Sequence, residues 1–442
     1  MFKREKYLKQ LILKENNHLI KVITGVRRSG KSILLNDIFY NHLIKKQKID
    51  SKHIVKFAFD VQEDILKLDK YYPNEPTTTK IKGQTVINEK KFINYINDQI
   101  NDDNVYFLLL DEIQNLNEFV RVLNGFIRHD NYDVYVTGSN SHLLSKDIDT
   151  EFSGRSSRIH LLPLSFTEFL SDSKLEKNES LIEYIRYGGI PLVQKQKTDE
   201  EKIIQSLSVY KDIYLSDIKK RHPQIDENNL DETLKVIASM ISTPINPARI
   251  ENTFKSKYRI VLSNNAIGNY INWFEDAFMI NKVMRYDIKG RAYIGSPYKI
   301  YFEDIGIRNA ILNYREVDET DIIENIVYNE LRYRGFSVDV GVVSVSKKTD
   351  RLDKNNKPIY ETKDTEVDFV AYKGSKIYYV QVALEIDSEK KKIQEYESIR
   401  NIPNSFKKVI IVKEEGKHFT TLEGFLRMNL LDFLINEDSL DW

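Results

Sequence analysis

The stretch Ile23–Ser32, ITGVRRSGKS, decides the reading of this chain. Gly25, Gly30, Lys31 and Ser32 fit the spacing G-x-x-x-x-G-K-[ST], between an apolar strand pattern, HLIKVITG, and a helical one, KSILLNDIFYNHLIKK. Each residue type answers a chemical need. The glycines let the backbone curl until successive N–H groups point inward, and the helix start adds partial positive charge. In such a loop Lys31 reaches the β- and γ-phosphates and the Ser32 hydroxyl is a ligand for Mg2+. Arg28, Ser29 and Ile33 complete the segment expected to line the phosphates.

A second stretch, FLLLDEIQN, follows some eighty residues later. Its apolar run reads as a buried strand ending in Asp111 and Glu112, at the edge where ligands bind in open α/β sheets. Asp111 is expected to hold the Mg2+ shell and Glu112 to polarise an attacking water. A third apolar strand, VYVTGSNS, ends in polar Thr137, Ser139 and Asn140. Ser139 and Asn140 are the candidates for contact with the γ-phosphate or the water, and the sequence does not separate them.

Around these motifs, short apolar runs (HIVKFAFD, VYFLLLD, DVYVTGS) alternate with helical patterns (KKFINYINDQI, LNEFVRVLNGFIRHD). That alternation predicts crossover units and a parallel sheet covered on both faces. A mostly helical stretch runs from about Ser165 to His222, broken at YGGIP. A second helix-rich stretch ends near Trp273 and leads into a hairpin turning at Asp287–Gly290. From about Asp318 come a helix, DIIENIVYNELRYRG, a strand, FSVDVGVVSV, a polar turn, KKTDRLDKNNKP, and two strands, TEVDFVAYKG and KIYYVQVALEI.

Composition narrows the classes. The 442 residues exceed one hydrophobic core, so several domains are expected. Lys plus Arg and Asp plus Glu both number 66, so any nucleic-acid binding must come from a local patch. The absence of cysteine excludes disulfides and thiolate zinc sites, and the eight histidines form no helical metal pair. No apolar run approaches the ~20 residues needed to span a bilayer, and the N-terminus has no apolar signal core. The chain is read as cytoplasmic, with no membrane partner.

The segments GVRRSGKS, LLDEIQ, VTGSNSHLLS, SGRSSRIHLLPLSFTEF, YGGIPLV, ENIVYNEL and EVDFVAYKGSKIYYVQVA span nearly the whole chain. In these, and in their order, it resembles the prokaryotic AAA+-type ATPases that join a P-loop core, a winged-helix region and a domain related to the PD-(D/E)XK nucleases. The resemblance implies an α/β fold: a P-loop NTPase (AAA+-like) core at 1–165, a helical lid at 166–222, a winged-helix region at 223–315 and a nuclease-like domain at 316–442. It also implies ATP and Mg2+ as ligands. No N-K-x-D guanine signature opposes ATP. Arg155, in the Gly-Arg segment, is the candidate arginine finger, with Arg158 and Arg128 as rivals. A finger acting in trans makes the active form a homo-oligomer.

Two further expectations concern what the ATPase acts on. The segment 281–301 holds Lys282, Arg285, Lys289, Arg291 and Lys299 against Asp287 alone, a local charge of five minus one, +4, interleaved with tyrosines. After a recognition-type helix capped at Ser263, it reads as a basic wing whose Lys282, Arg285, Lys289 and Arg291 would contact DNA phosphates. In the C-terminal region Glu324 or Glu330 and Asp368 match nuclease acids, but the Glu-x-Lys position reads Gln381-Val382-Ala383. With a carboxylate and the cation both missing, the fold is expected without hydrolysis unless Lys376 or Lys390 substitutes in space. The favoured function is an ATPase that moves a winged-helix and nuclease-like module on DNA or a protein. An ATP-dependent nuclease and a slowly hydrolysing nucleotide switch are the alternatives.

Overall fold

The computed structural model describes residues 2–81, 84–138, 152, 154–258, 262–315, 319–352, 358–386 and 396–442. They form two compact units, Met1–Leu162 and Pro163–Trp442.

Among the described residues, seven strands belong to the first unit: β1 (Ile20–Thr24), β2 (Ile54–Ala58), β3 (Thr78–Ile81), β4 (Gln84–Ile87), β5 (Tyr106–Asp111), β6 (Tyr132–Thr137) and β7 (Ser156–His160). Strands β3 and β4 make a separate hairpin. The other five form one sheet in the order β2-β5-β6-β1-β7, with every neighbouring pair parallel. Every residue of β1 and β5 is buried, as near-continuous apolar runs require when both sheet faces are covered. Rings of Phe57, Phe59, Phe92 and Phe126 fill the core on one face. The polar interruption in β1, Lys21, is wholly buried and ion-paired to Asp133 of β6. That carboxylate also accepts from the Tyr135 hydroxyl at 2.9 Å and from the Asn16 N–H at 3.1 Å, which offsets its desolvation. Because the strands are parallel, Thr24, Asp111 and Thr137 all end on one edge.

The second unit opens with helices, among them Phe166–Leu170, Lys177–Tyr187 and Asp199–Ser208. The YGGIP break is a packing knot. At Gly188 φ is +70°, and a Cβ there would lie 2.4 Å from an Asp304 carboxylate oxygen. Asp304 accepts from the Gly189 N–H at 2.6 Å and caps the helix Ile305–Ile311 through the Ile307 N–H at 3.0 Å. Burial raises this carboxyl to about 6, against the pull of the backbone donors.

Among the described residues eight strands follow: β8 (Ile280–Asp287), β9 (Ala292–Phe302), β10 (Ser337–Leu352), β11 (Pro358–Lys373), β12 (Lys376–Ala383), β13 (Lys407–Val412), β14 (Phe419–Thr420) and β15 (Leu426–Asn429). They make one sheet in the order β14-β15-β13-β12-β11-β10-β8-β9. The expected hairpin 281–301 is present, and β8 pairs in parallel with β10, from Val340 opposite Arg285 to Val342 opposite Asp287. Of the polar segment expected as a turn at 347–358, residues 347–352 extend β10 and Pro358 starts β11, with Lys348 opposite Tyr360 and Leu352 opposite Pro358, while 353–357 lie outside the described residues. Antiparallel pairing outweighs local polarity there.

Candidate functional site

The glycine-containing loop leaves β1 at the C-terminal edge of the sheet. Gly25 has φ +141°, and a Cβ there would sit 2.3 Å from the Leu161 carbonyl oxygen, so no other residue fits. Lys31 begins a helical run over 31–45 whose middle, Leu34–Phe39, is π-helical. Its ammonium is buried and donates to the Gly25 and Val26 carbonyls, both at 3.0 Å. The Ser29 hydroxyl is fully buried and has no hydrogen-bond partner among the described residues. Ser32 is exposed, and Ile33 is half-buried.

Across the edge, Asp111 is 5% exposed. It accepts from the Thr137 hydroxyl and from Asn36 Nδ2 at 3.2 Å, the latter presented by the π-helical segment. Burial pushes the Asp111 carboxyl up, the Thr137 and Ser32 hydroxyls hold it down, and the Glu112 and Asp60 charges raise it further. Thr137 is a bridge, because the same oxygen accepts the Glu112 N–H at 3.0 Å. Glu112 sits at φ 55° and ψ 49°, a left-handed conformation uncommon for a non-glycine residue, and its carboxylate accepts from the Gln114 amide. The strand end thus turns Glu112 away from the ladder while Asp111 stays fixed.

The structure brings Gly25, Gly30, Lys31, Ser32, Asp111 and Glu112 to one edge, with Arg28 exposed in the loop at φ 66°. Ser139 and Asn140 lie outside the described residues. Asn36 and Asp60 were not singled out from sequence, and Thr137 was noted as a polar strand end but passed over for Ser139 and Asn140. The chain continues past β2 with the Phe59 N–H donating to the Asp111 carbonyl at 3.0 Å, which carries Asp60 to the same edge. Burial raises the Asp60 carboxyl, the neighbouring Glu112 raises it further, and Arg27 opposes both.

The arginines sit elsewhere. Arg155 is exposed and directly precedes β7, its carbonyl accepting from the Ile20 N–H at 2.9 Å. That is the N-terminal edge of the sheet, opposite the loop. Arg128 lies at the same edge, just before β6, and Arg158 is half-buried within β7, opposite Val22. The five residues of β1 span roughly 16 Å, so Arg155 and Arg128 do not reach a nucleotide on their own loop.

In the second unit the expected basic wing is smaller than its sequence count. Lys282 binds Glu275 at 2.8 Å and Asn272 Oδ1 at 2.9 Å. Arg285 is half-buried, and Lys289 is exposed with its ammonium donating to the Ser344 carbonyl at 2.6 Å. Arg291 is exposed. Lys299 is not part of the patch at all: it is 2% exposed and faces inward, so the count of +4 is corrected by burial. Its ammonium lies 2.9 Å from Glu324, 2.6 Å from Glu366 and 4.0 Å from Asp368. Of the two helical acids, Glu324 joins Asp368, whereas Glu330 pairs with Arg334 at 2.9 Å. Lys376 is bound to Asp441 at 2.6 Å, and Lys390 lies outside the described residues. Among the described residues no group of three or more His, Asp or Glu side chains is arranged to hold a metal ion. No helix among them is long and apolar enough to cross a membrane.

Residues 17–170 match the model of an AAA domain, and residues 178–318 match that of a domain of unknown function. An uncharacterized protein of Haemophilus influenzae is 32% identical, over 98% of this chain and 99% of its own. An uncharacterized protein of Methanocaldococcus jannaschii is 28% identical, over 91% and 84%. Among solved structures, the Aeropyrum pernix ORC1 protein in complex with DNA aligns over 71% of this chain and 93% of its own, at 11% identity and a TM-score of 0.27.

Proposed function

The chain belongs to one family with the Haemophilus influenzae protein and carries an AAA domain, and from this we propose that it is an Mg2+-dependent ATPase. The observation that carries the reading is the convergence of Lys31, Ser32, Asp111 and Glu112 on one edge of a parallel sheet. The residues suit the ligands: a buried ammonium in a backbone cradle, a buried serine hydroxyl without a partner among the described residues, and a carboxylate beside the loop serine.

Lys31 would exchange its bonds to Gly25 and Val26 for phosphate oxygens. Ser32 and Asp111 would hold Mg2+, which supplies charge neutralisation at the β- and γ-phosphates. Thr137 and Asn36 keep the Asp111 carboxylate oriented. Glu112 would orient water and accept its proton, with Asp60 setting the local charge. Ser139 or Asn140 would touch the γ-phosphate. Arg155 would serve a neighbouring copy, which makes the working form a homo-oligomer.

In the second unit, 166–222 would act as a lid and 223–315 as a winged-helix region. Residues 316–442 would be a nuclease-like domain without hydrolysis, since Gln381 and Ala383 stand where the acid and lysine are needed. Hydrolysis would move these parts on DNA or a protein partner. Multiple-turnover ATP hydrolysis, measured with duplex DNA, RNA and no nucleic acid, tests the reading. Stimulation by DNA is expected. Absence of ATP affinity in the presence of Mg2+ would remove it.

A further inference from the structure

We infer that the Lys299 ammonium is the resident cation of a carboxylate cluster in the second unit, and that with it in place Glu324, Glu366 and Asp368 are not arranged to take a divalent ion. The cluster would then form and stay closed without metal. This stands independently of ATP hydrolysis.

The cluster is built from three elements. Lys299 comes from β9, Glu324 from the helix Glu319–Tyr333, and Glu366 and Asp368 from β11. Residues two apart on a strand share a face, so Glu366 and Asp368 point together, as do Lys299 and Tyr301. The Lys299 side chain is 3% exposed, Glu324 9%, Asp368 11% and Glu366 29%, so the group opens to solvent only at Glu366. The other donors come from the protein: the Tyr301 hydroxyl to Glu324 at 2.5 Å and the Val382 N–H to Asp368 at 2.7 Å.

Two buried carboxylates and a half-buried third, without a cation, would repel one another at low dielectric. A lysine suits the seat because its ammonium is a compact charge with three rotatable donors. Burial alone would weaken its hold on a proton, but Glu324, Asp368 and Glu366 more than reverse this and keep it charged. Mg2+ needs oxygen ligands at about 2.0–2.1 Å. The Nζ, at 2.6 Å from Glu366 and 2.9 Å from Glu324, fills the space between those oxygens. Ammonium and metal therefore compete for one position. The lysine also ties β9 to β11 across the sheet, two strands beyond its own hairpin partner.

Nucleotide-free full-length protein is unfolded by heat in EDTA and in millimolar Mn2+, as wild type, Lys299→Met and Asp368→Asn. Wild type should show the same midpoint for the second unit in both solutions. Lys299→Met should unfold roughly 10 °C lower in EDTA and regain about half of that with Mn2+. A Lys299→Met protein as stable as wild type, or destabilised but indifferent to Mn2+, overturns the inference. If Lys299→Met does not fold, the other two proteins decide. Mn2+ stabilisation of wild type that Asp368→Asn abolishes shows a working metal seat and sinks the proposal, as does Mn2+-dependent DNA nicking lost in Asp368→Asn.

Discussion

Two buried lysines, each beside carboxylates, have opposite surroundings. Lys31 bonds to two backbone carbonyls of its own loop, while the nearby Asp111 is held by a hydroxyl and an amide. Lys299 bonds directly to side-chain carboxylates. Neutral carbonyls are weak partners for an ammonium and are readily exchanged for phosphate. Carboxylates in a low dielectric are strong partners, and removing one member leaves uncompensated buried charge. Residue type does not distinguish a lysine proposed to read phosphate from an internal counter-ion; the charge of its partners does.

The largest expected effects test that contrast by crossing two variants. Lys31→Ala should lower ATP turnover by at least about 10²-fold while the unfolding midpoint stays near wild type. Lys299→Met should do the reverse, losing about 3–5 kcal/mol of stability in the second unit, with turnover per folded molecule close to wild type. The readouts are steady-state phosphate release and denaturant unfolding. A loss of stability in both variants, or of turnover in both, would erase the distinction.

A smaller effect concerns Asp304, a buried carboxylate whose partners are backbone donors. Its folded value of about 6 lies above the ordinary 3.8, so the folded state binds the proton more tightly. The resulting stability is full below 3.8 and is lost as pH rises through about 6. Relative to Asp304→Asn, wild type should therefore gain about 2 kcal/mol as pH falls from 7.5 to 4.5. A difference between the two proteins that is flat with pH would mean that the backbone donors at Gly189 and Ile307 outweigh burial.

The uneven legibility of these sites has a physical cause. The phosphate loop is contiguous, so spacing alone exposed Gly25, Gly30, Lys31 and Ser32, and the apolar run before Asp111 fixed which strand end it occupies. Parallel strands then align their ends without further information. Asn36 was missed, and Thr137 was passed over for Ser139 and Asn140, because their role depends on which strand and helix lie beside Asp111. The Lys299 cluster draws on positions 299, 324, 366 and 368, whose adjacency exists only after β8 pairs with β10. Counted locally, Lys299 looked like one more surface cation. The Gly-Gly of YGGIP was visible as a break, but its reason, close approach of Asp304, is a tertiary contact.

Next in size is Thr137→Ala, which removes the bridge between Asp111 and the Glu112 backbone. Losing a buried donor to a carboxylate costs about 1–3 kcal/mol. If the bridge serves the edge and not the sheet, the loss should appear in turnover at saturating ATP more than in the unfolding midpoint. Thr137→Ser, which keeps the hydroxyl, should restore most of it. Failure of serine to rescue would assign the role to the methyl group and packing.

The smallest effect belongs to the exposed end of the lysine series. Lys289 and Arg291 are solvent-facing, Lys282 is tied to Glu275, and Lys299 is internal, although all four lie within one hairpin. Each phosphate contact contributes about 0.9 to the slope of log affinity against log salt. If the hairpin meets duplex DNA, Lys289→Ala with Arg291→Ala should flatten that slope by roughly two, and Lys282→Ala should change it little. Surface substitutions of this kind leave stability within about 0.5 kcal/mol, so the salt slope isolates binding from folding. A slope that responds to Lys282→Ala and not to the exposed pair would mean that the Glu275 bond is given up for phosphate. Partner charge would then fail as the criterion separating these lysines.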